Sequence, residues 1–151
     1  MKKILEFGIG TGASLRMWRD FFPHANIYGA DYRTDSLINE DRIESILCDQ
    51  RRYEHLTSLI DHIGSDIDVV IDDASHRPRD QMYTCQKLMP LLQKSVVYVI
   101  EDVANPSITG GLREYDIEIP RLEKARNRYD NMLIVVRHKP SVGAPHRVFS
   151  Q

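Results

Sequence analysis

Residues 4–13 read Ile-Leu-Glu-Phe-Gly-Ile-Gly-Thr-Gly-Ala, and this stretch decides the fold. The first four residues have the apolar pattern of a short buried strand, and three glycines follow where the chain must turn. Glycine suits such a turn because it adopts left-handed backbone angles and lets a ligand approach without a Cβ in the way. After the turn, apolar side chains recur at helical spacing at Leu15, Trp18 and Phe22.

Beyond this unit, short apolar runs alternate with longer amphipathic stretches through most of the chain. Such alternation is typical of repeated β-α units and a mainly parallel sheet. The predicted strands cover residues 4–7, 26–30, 45–48, 68–71, 96–100 and 132–136. We predict an α/β fold, with one domain over residues 1–151 built as a Rossmann-like, doubly wound, mainly parallel sheet with helices on both faces.

Three segments carry weaker signals. Residues 118–128 predict a polar helix and residues 146–150 a last short strand, whereas residues 104–112 contain Asn-Pro and Gly-Gly and predict a loop. This loop directly follows the fifth predicted strand, at the end of the sheet where parallel strands carry ligands. Pro90 is expected to bend or end the helix that precedes that strand.

Composition narrows the class of protein. The chain has 151 residues, 42% of them hydrophobic and 28% charged, with a formal net charge of -2. That balance predicts one soluble domain and gives no overall field to attract nucleic acid or an anionic membrane. The longest apolar run, at 96–100, is far shorter than the roughly 20 residues of a membrane helix. With only two cysteines, Cys48 and Cys85, both expected as buried free thiols, we predict a cytoplasmic protein.

The glycine turn fits two cofactors. Gly8-x-Gly10-x-x-Ala13 matches a dinucleotide fingerprint, whose acidic partner about 20 residues on would be Asp31. Glu6-x-Gly8-x-Gly10-x-Gly12 instead resembles motif I of the class I S-adenosylmethionine-dependent methyltransferases. In that family the loop faces the methionine end of the cofactor, and an acidic residue after the second strand, here Asp31, binds the ribose hydroxyls.

Glu6 favours the methyltransferase interpretation. A carboxylate repels a pyrophosphate but attracts the ammonium and sulfonium groups of S-adenosylmethionine. By the same resemblance, Asp49 after the third strand is the candidate to contact the adenine amino group. From the residues alone, Asp49 is equally well explained as the N-cap of the next helix.

Acidic residues also follow the fourth and fifth strands, in the pairs Asp72-Asp73 and Glu101-Asp102. Neighbouring parallel strands bring their carboxyl ends side by side, and four converging carboxylates repel one another unless a cation joins them. Oxygen ligands favour Mg²⁺, or Ca²⁺ or Mn²⁺, over zinc. His76, at the rim of this cluster, is suited to take a proton from a substrate hydroxyl, so the pattern predicts an O-methyltransferase.

The motifs V-V-I-D-D-A-S-H (69–76) and V-Y-V-I-E-D-V (97–103) resemble the metal-dependent sugar O-methyltransferases of macrolide pathways, of the macrocin and mycinamicin type. The resemblance implies His76 as the general base and places Asp72 close to the cofactor. It implies a metal held by Asp73, Glu101 and Asp102.

In that family, a segment that precedes the first strand usually helps to cover the cofactor and the acceptor. This sequence begins almost at its first strand, so we expect the chain to be N-terminally short relative to the family. We expect the loop over residues 104–115, or contacts in a homo-oligomer, to supply cover instead. The expected acceptor is a hydroxyl of a small sugar or polyol-like molecule. Nucleic acid is disfavoured because the residues after the fourth strand lack the Pro-Pro-aromatic motif of amino methylation.

Two alternatives remain open from the sequence. One is a module or subunit that binds S-adenosylmethionine without chemistry and needs a partner for cover. The other is a small NAD-dependent oxidoreductase, which predicts NAD binding that depends on Asp31 and not on Glu6.

Overall fold

The structure is a computed structural model that describes residues 1–120 and 132–140. Its strands form one sheet in the order β3-β2-β1-β4-β5-β7-β6. The first five strands pair in parallel, and β7 runs antiparallel to both β5 and β6. The strands are β1 (Lys3–Phe7), β2 (Asn26–Asp31), β3 (Ile43–Leu47), β4 (Val69–Asp72), β5 (Val97–Ile100), β6 (Asp116–Glu118) and β7 (Ile134–Arg137).

Within the described residues, three α-helices cover the two faces of this sheet: α1 (Ala13–Phe21), α2 (Tyr53–Ile63) and α3 (Pro78–Leu88). Successive residues of a strand point to opposite faces, so Ile4 packs in one core with Leu15 of α1, and Leu5 packs in the other. The second core contains the apolar sides of α2 and α3, including Leu56 and Leu88. Each such buried leucine contributes about 1.5 to 3 kcal/mol to folding.

The register of the strands brings their carboxyl ends to one edge. Phe7, the last residue of β1, pairs with Ala30 on one side and with Asp72 on the other. Asp72 in turn pairs with Ile100, the last residue of β5. The chain therefore leaves β1, β2, β4 and β5 at one level, and the connections that follow lie together along this edge.

The predicted fold class is confirmed, with helices on both faces of a mainly parallel sheet. Each of the six strands predicted between residues 4 and 136 overlaps an observed one, with bounds that differ by at most two residues. As expected at Pro90, α3 ends at Leu88 and gives way to the 3-10 turn Met89–Leu91. The predicted loop over 104–112 holds a second 3-10 turn, Pro106–Gly111.

The antiparallel edge of the sheet differs from expectation. Strand β6 was not predicted, and Glu118, expected to begin a helix, is the last residue of this strand. Its three residues Asp-Ile-Glu contain a single apolar side chain, so they carry no recognisable strand pattern. Most of the predicted helix 118–128 and the whole predicted strand 146–150 lie outside the described residues.

The described residues also bear on membrane-spanning helices and on the two cysteines. Among these residues, no helix has the length and apolar character needed to cross a membrane. Cys48 and Cys85 are both buried free thiols, as predicted. Burial raises the pKa of Cys48 to about 12. That residues 1–151 form a single domain stays a prediction.

Candidate active site

The glycine loop between β1 and α1 forms one wall of the site. Gly8 and Gly10 have φ values of 90° and 55°, in the left-handed region that favours glycine. A Cβ on Gly8 would overlap the backbone carbonyl of Asp73, so the loop and the end of β4 touch through backbone atoms. A Cβ on Gly10 would meet no atom within 4 Å, because this residue faces open space. Gly12 occupies the N-cap position of α1.

A cleft of about 550 Å³ opens beside this loop. Its other walls are the residues that follow β2, β3 and β4, including Asp31, Asp49 and Asp73. Glu6, Gly12 and Asp72 do not line the cleft, and all three are buried. The open backbone at Gly10 and the acidic residues around the cleft fit an elongated ligand that carries hydroxyl and amino donors.

Asp31 joins the glycine loop to the end of β2. Its Oδ2 accepts a hydrogen bond from the backbone N–H of Ile9 at 3.0 Å, and its Oδ1 accepts one from the N–H of Arg33 at 2.9 Å. The side chain lines the cleft, although the residue is only 9% exposed. Asp31 therefore fixes the loop and presents its remaining acceptor capacity to the cleft.

Asp49, after β3, is already paired in this structure. Arg51 holds both carboxylate oxygens, Oδ1 through Nε at 2.8 Å and Oδ2 through its terminal nitrogen at 2.8 Å. These hydrogen bonds keep the pKa of Asp49 below its ordinary value. The Arg51 guanidinium also lies 5.9 Å from the centre of the Tyr32 ring. This end of the cleft thus has an ion pair and an exposed aromatic ring.

Glu6 sits behind the glycine loop and is 1% exposed. Its carboxylate accepts hydrogen bonds from the Ser14 hydroxyl and from Trp18 Nε1, the latter at 2.8 Å. Burial raises the pKa of Glu6, and the hydrogen bonds from Ser14 and Trp18 oppose that shift. Glu6 thereby ties the first helix to the strand beneath the loop.

Asp72 is fully buried at the end of β4. Its carboxylate accepts hydrogen bonds from Gln50 Nε2 at 3.2 Å and from the Tyr98 hydroxyl at 3.2 Å. Burial raises the pKa of Asp72 to about 6. Gln50 lines the cleft, so Asp72 holds this part of the cleft wall through its hydrogen bond with Gln50. A direct contact of Asp72 with a cofactor stays a prediction.

Three of the predicted acidic and histidine residues meet at the ends of β4 and β5. One ligand atom each from Asp73, His76 and Asp102 lies within 4.8 Å of the others. His76 Nε2 is 3.0 Å from Asp73 Oδ1 and 3.7 Å from Asp102 Oδ2. Two carboxylates at this separation supply the oxygen ligands that a hard divalent cation prefers, so the residues present fit such an ion.

The backbone at this cluster is unusual. His76 and Asp102 have φ values of 53° and 50°, and only one other non-glycine residue of the described chain, Arg42, has a positive φ. Such a conformation costs about 1 to 3 kcal/mol for a residue with a Cβ, and it persists only where the surroundings enforce it. Both residues that turn toward Asp73 carry this strain, which is typical of functional sites.

Glu101, the other predicted metal ligand, stands slightly apart. It is partly buried and is not a member of the group defined by the 4.8 Å spacing. Burial raises the pKa of Glu101 to about 7, and the negative charges of Asp73, Glu6 and Asp102 add to the shift. Mutual repulsion among these carboxylates would be relieved by a cation.

Sequence reasoning missed Gln50, which links the cleft wall to Asp72. Gln50 Nε2 also donates to Thr84 Oγ1 at 2.9 Å, so one amide connects the ends of β3 and β4 to α3. Gln50 stands directly after Asp49 in the sequence, but a lone glutamine carries no pattern that marks it as a network residue. Trp18 was likewise predicted only as a helix residue, and Ser14 was not singled out.

No protein-family model matches the chain. Among curated proteins, the mycinamicin VI 2''-O-methyltransferase of Micromonospora griseorubida is 38% identical over 108 residues, which cover 67% of this chain and 27% of that protein. Demethylmacrocin O-methyltransferase of Streptomyces fradiae is also 38% identical over 108 residues, with the same shares. The chain thus spans about a quarter of the length of these relatives.

The solved structures that match this chain also include methyltransferases. The MycE methyltransferase from the mycinamycin pathway, in complex with Mg, SAH and mycinamycin VI, matches with a TM-score of 0.74 and 27% identity over 97% of this chain and 48% of that one. Human methyltransferase-like protein 13, in complex with SAH, has a TM-score of 0.70 at 17% identity, over 92% of this chain and 72% of that one, and shows the fold alone.

The fold and the arrangement of the cleft define a domain with the Rossmann-like architecture of class I S-adenosylmethionine-dependent methyltransferases. Within that class, the resemblance expected from the motifs at 69–76 and 97–103 is confirmed. Over 108 residues the chain is similar in sequence to sugar O-methyltransferases of the mycinamicin, macrocin and tetracenomycin type.

Proposed function

We propose that this chain is the catalytic part of an O-methyltransferase that moves a methyl group from S-adenosylmethionine to a hydroxyl of a small sugar or polyol-like molecule. The reaction is assisted by Mg²⁺ or another hard divalent cation. The observation that carries the proposal is the convergence of Asp73, His76 and Asp102 beside the cleft that the glycine loop borders.

His76 is the general base of this proposal. Its Nε2 lies 3.0 Å from one Asp73 oxygen, so a hydroxyl at the same edge of the cleft would be within reach of the imidazole. A histidine has an unperturbed pKa of about 6.5, which suits proton transfer near neutral pH. His76 would accept the hydroxyl proton as the oxygen attacks the methyl carbon, while the sulfonium bond to that carbon breaks in line.

The metal is assigned to the carboxylates at the ends of β4 and β5, namely Asp73, Glu101 and Asp102. A cation bound there supplies positive charge that favours the deprotonated form of the acceptor hydroxyl. Asp73 and Asp102 lie close enough together to share one ion. Glu101, with its raised pKa, would lose its proton more readily once a cation occupies the cluster.

The cofactor is assigned to the cleft, with its methionine end along the glycine loop and its ribose at Asp31. Two features support this orientation: the open backbone face of Gly10 and the carboxylate of Asp31 at the cleft wall. The residues proposed to bind the cofactor, directly or from behind the cleft wall, are Glu6, Gly8, Gly10, Gly12, Asp31, Asp49 and Asp72.

The acceptor class rests on the relatives. Their names specify methylation of mycinamicin VI at 2'' and of rhamnosyl tetracenomycins at 2' or 3'. For this chain we propose the same type of acceptor, a hydroxyl of a glycoside, in which a neighbouring oxygen can share the cation.

The test is methyl transfer from isotopically labelled S-adenosylmethionine to a panel of glycosides, measured by mass spectrometry with Mg²⁺ and with excess EDTA. The proposal expects O-methylated product with Mg²⁺ and strong loss of product with EDTA. Turnover undiminished by EDTA would show that the reaction does not need the metal. Cofactor binding without turnover on any hydroxyl would instead favour a non-catalytic module that needs a partner.

A further inference from the structure

The buried side of α3 begins with a polar side chain, at the end of the helix that is nearest to His76 in the sequence. Gln81 is fully buried, and Thr84, Cys85 and Leu88 follow it on the same side of the helix. The helix itself begins two residues after His76. A buried amide therefore stands where the segment with the proposed general base enters α3.

The Gln81 amide is only half paired within the described residues. Its Nε2 donates to the backbone carbonyl of Glu101 at 2.8 Å, whereas its Oε1 is buried and accepts no hydrogen bond from those residues. Turning the amide over would place Oε1 against the carbonyl oxygen, and two acceptors repel each other, so its orientation is fixed. A half-paired buried amide lowers stability relative to an apolar side chain of the same size. Core packing alone thus gives no reason for a glutamine at this position.

The carbonyl that Gln81 holds belongs to the peptide between Glu101 and Asp102, two of the proposed metal ligands. Glu101 donates its backbone N–H to the Asp72 carbonyl at 3.0 Å, and directly after it Asp102 turns with φ of 50°. The angle φ is the rotation about the N–Cα bond, so the orientation of this peptide decides where the Asp102 carboxylate points. A left-handed residue with a Cβ persists only where its surroundings enforce that conformation. The hydrogen bond from Gln81 is such a constraint, and it acts on the peptide concerned.

We propose that Gln81 is a positioning residue for the metal site. By fixing the Glu101 carbonyl, it keeps the peptide in the orientation that turns Asp102 toward Asp73 and His76 before a cation is bound. The ligand atoms are then preorganised, so the ion has less ordering to pay for when it binds. Hydrogen bonds that hold metal ligands in place raise metal affinity in this way. The inference rests on the proposed function, because it takes the acidic cluster as the site of a divalent cation.

The test is calorimetric titration of the complete chain with Mg²⁺, which needs neither an acceptor nor turnover. Gln81→Met has a side chain of nearly the same length but no hydrogen-bond donor. We expect this variant to bind Mg²⁺ at least about tenfold more weakly than the wild type, the scale on which such supporting hydrogen bonds act at metal sites. Gln81→Leu also removes the donor and serves if the methionine variant does not fold.

The matched control is Gln86→Met. Gln86 lies on the same helix, is partly buried, and donates from its Nε2 to the backbone carbonyl of Gly111 at 2.7 Å. The control thus loses the same kind of hydrogen bond, but one that holds no member of the acidic cluster. We expect Gln86→Met to keep the wild-type affinity for Mg²⁺.

Binding of S-adenosylhomocysteine without metal separates positioning of the ligands from a general loss of structure. Gln81 does not line the cleft, so Gln81→Met is expected to bind this compound with wild-type affinity. A merely structural role of the amide would instead lower both affinities together.

A wild-type Mg²⁺ dissociation constant in Gln81→Met would overturn the inference, and so would an equal loss of affinity in Gln86→Met. Loss of the folded state in both Gln81 variants, or of their binding of S-adenosylhomocysteine, would show a structural role and contradict it as well. If the wild type itself does not bind Mg²⁺, the metal of the proposed function fails together with the inference. The two failures are therefore distinguishable.

Discussion

His76 is the residue on which the proposed chemistry depends most. Its left-handed backbone, with φ of 53°, holds the imidazole against Asp73 and Asp102. We expect His76→Ala to reduce turnover by about a hundredfold or more, the usual share of a general base, and to leave S-adenosylhomocysteine binding unchanged. Steady-state rates and calorimetry on the same preparations check both parts.

The matched control for His76 is His62→Ala. His62 is an exposed histidine on α2 that pairs with Glu44 of β3 at 2.6 Å, and neither residue lines the cleft. We expect this variant to retain wild-type rates. Full activity of His76→Ala would show that another group takes the proton.

Asp31 has two roles, and both predict weaker cofactor binding when it is replaced. It accepts hydrogen bonds from the loop at Ile9 and from Arg33, and its remaining acceptor capacity is proposed to bind the ribose. Asp31→Ala is expected to weaken binding of S-adenosylhomocysteine by about 1 to 3 kcal/mol, the cost of leaving buried polar groups unpaired. Asp35→Ala, a nearby exposed carboxylate, should leave calorimetric affinity unchanged.

At the scale of single elements, the glycine loop is held by backbone packing against the end of β4. We expect Gly8→Ala to lower the free energy of unfolding by about 2 to 4 kcal/mol, because the residue has φ of 90° and its new Cβ would overlap the Asp73 carbonyl. Urea denaturation measures the change. Gly110→Ala is the control, since a Cβ there meets no atom within 4 Å.

The sequence predicted these elements well where the pattern is strong. The runs at β1, β4 and β5 are apolar because the sheet is covered by helices on both faces, and continuous apolar runs mark buried parallel strands. Strand β6 was missed because its side chains are mostly exposed and its pairing with β7 is set by distant residues. A short edge strand buries few side chains, so its sequence has no clear apolar pattern.

The site was predictable for a related reason. Parallel strands end at one edge, so acidic residues placed directly after β4 and β5 are enough to predict that Asp73 and Asp102 approach each other. The positive φ of His76 and Asp102 could not be expected, because Asp and His adopt this conformation more often than other non-glycine residues but still only rarely. The pairing of Asp49 with Arg51 likewise depends on side-chain geometry that no sequence pattern indicates.

At the scale of the whole molecule, the acidic cluster lowers the stability of the metal-free protein through charge repulsion. We expect Mg²⁺ at roughly ten times its dissociation constant to stabilise the wild type by about 1.4 kcal/mol, since an ion that binds only the folded state shifts unfolding by mass action. Thermal denaturation should show a Tm increase of a few degrees.

Asp73→Asn should lose this response to Mg²⁺, and Asp35→Asn should retain it. An equal Tm increase in Asp73→Asn and the wild type would mean that Mg²⁺ acts elsewhere on the molecule. Ca²⁺ and Mn²⁺, tested in the same way, report how selective the carboxylate cluster is.

The two thiols report on the integrity of the whole core. Burial raises the pKa of Cys48 to about 12, and the pKa of Cys85 is raised as well. Only the thiolate reacts, so at pH 8 we expect both cysteines of the native protein to resist a thiol reagent that labels the unfolded chain completely. Cys48 lines the cleft, so rapid labelling of this thiol in the native protein would show that the cleft wall opens in solution.

The most direct measurement for the central claim is calorimetric titration of the purified chain with S-adenosylmethionine, S-adenosylhomocysteine and NAD, each with and without Mg²⁺. Our prediction is that the first two bind in either condition and that NAD does not bind. Binding of NAD in a manner that needs Asp31 and not Glu6, with no binding of S-adenosylhomocysteine, would contradict it.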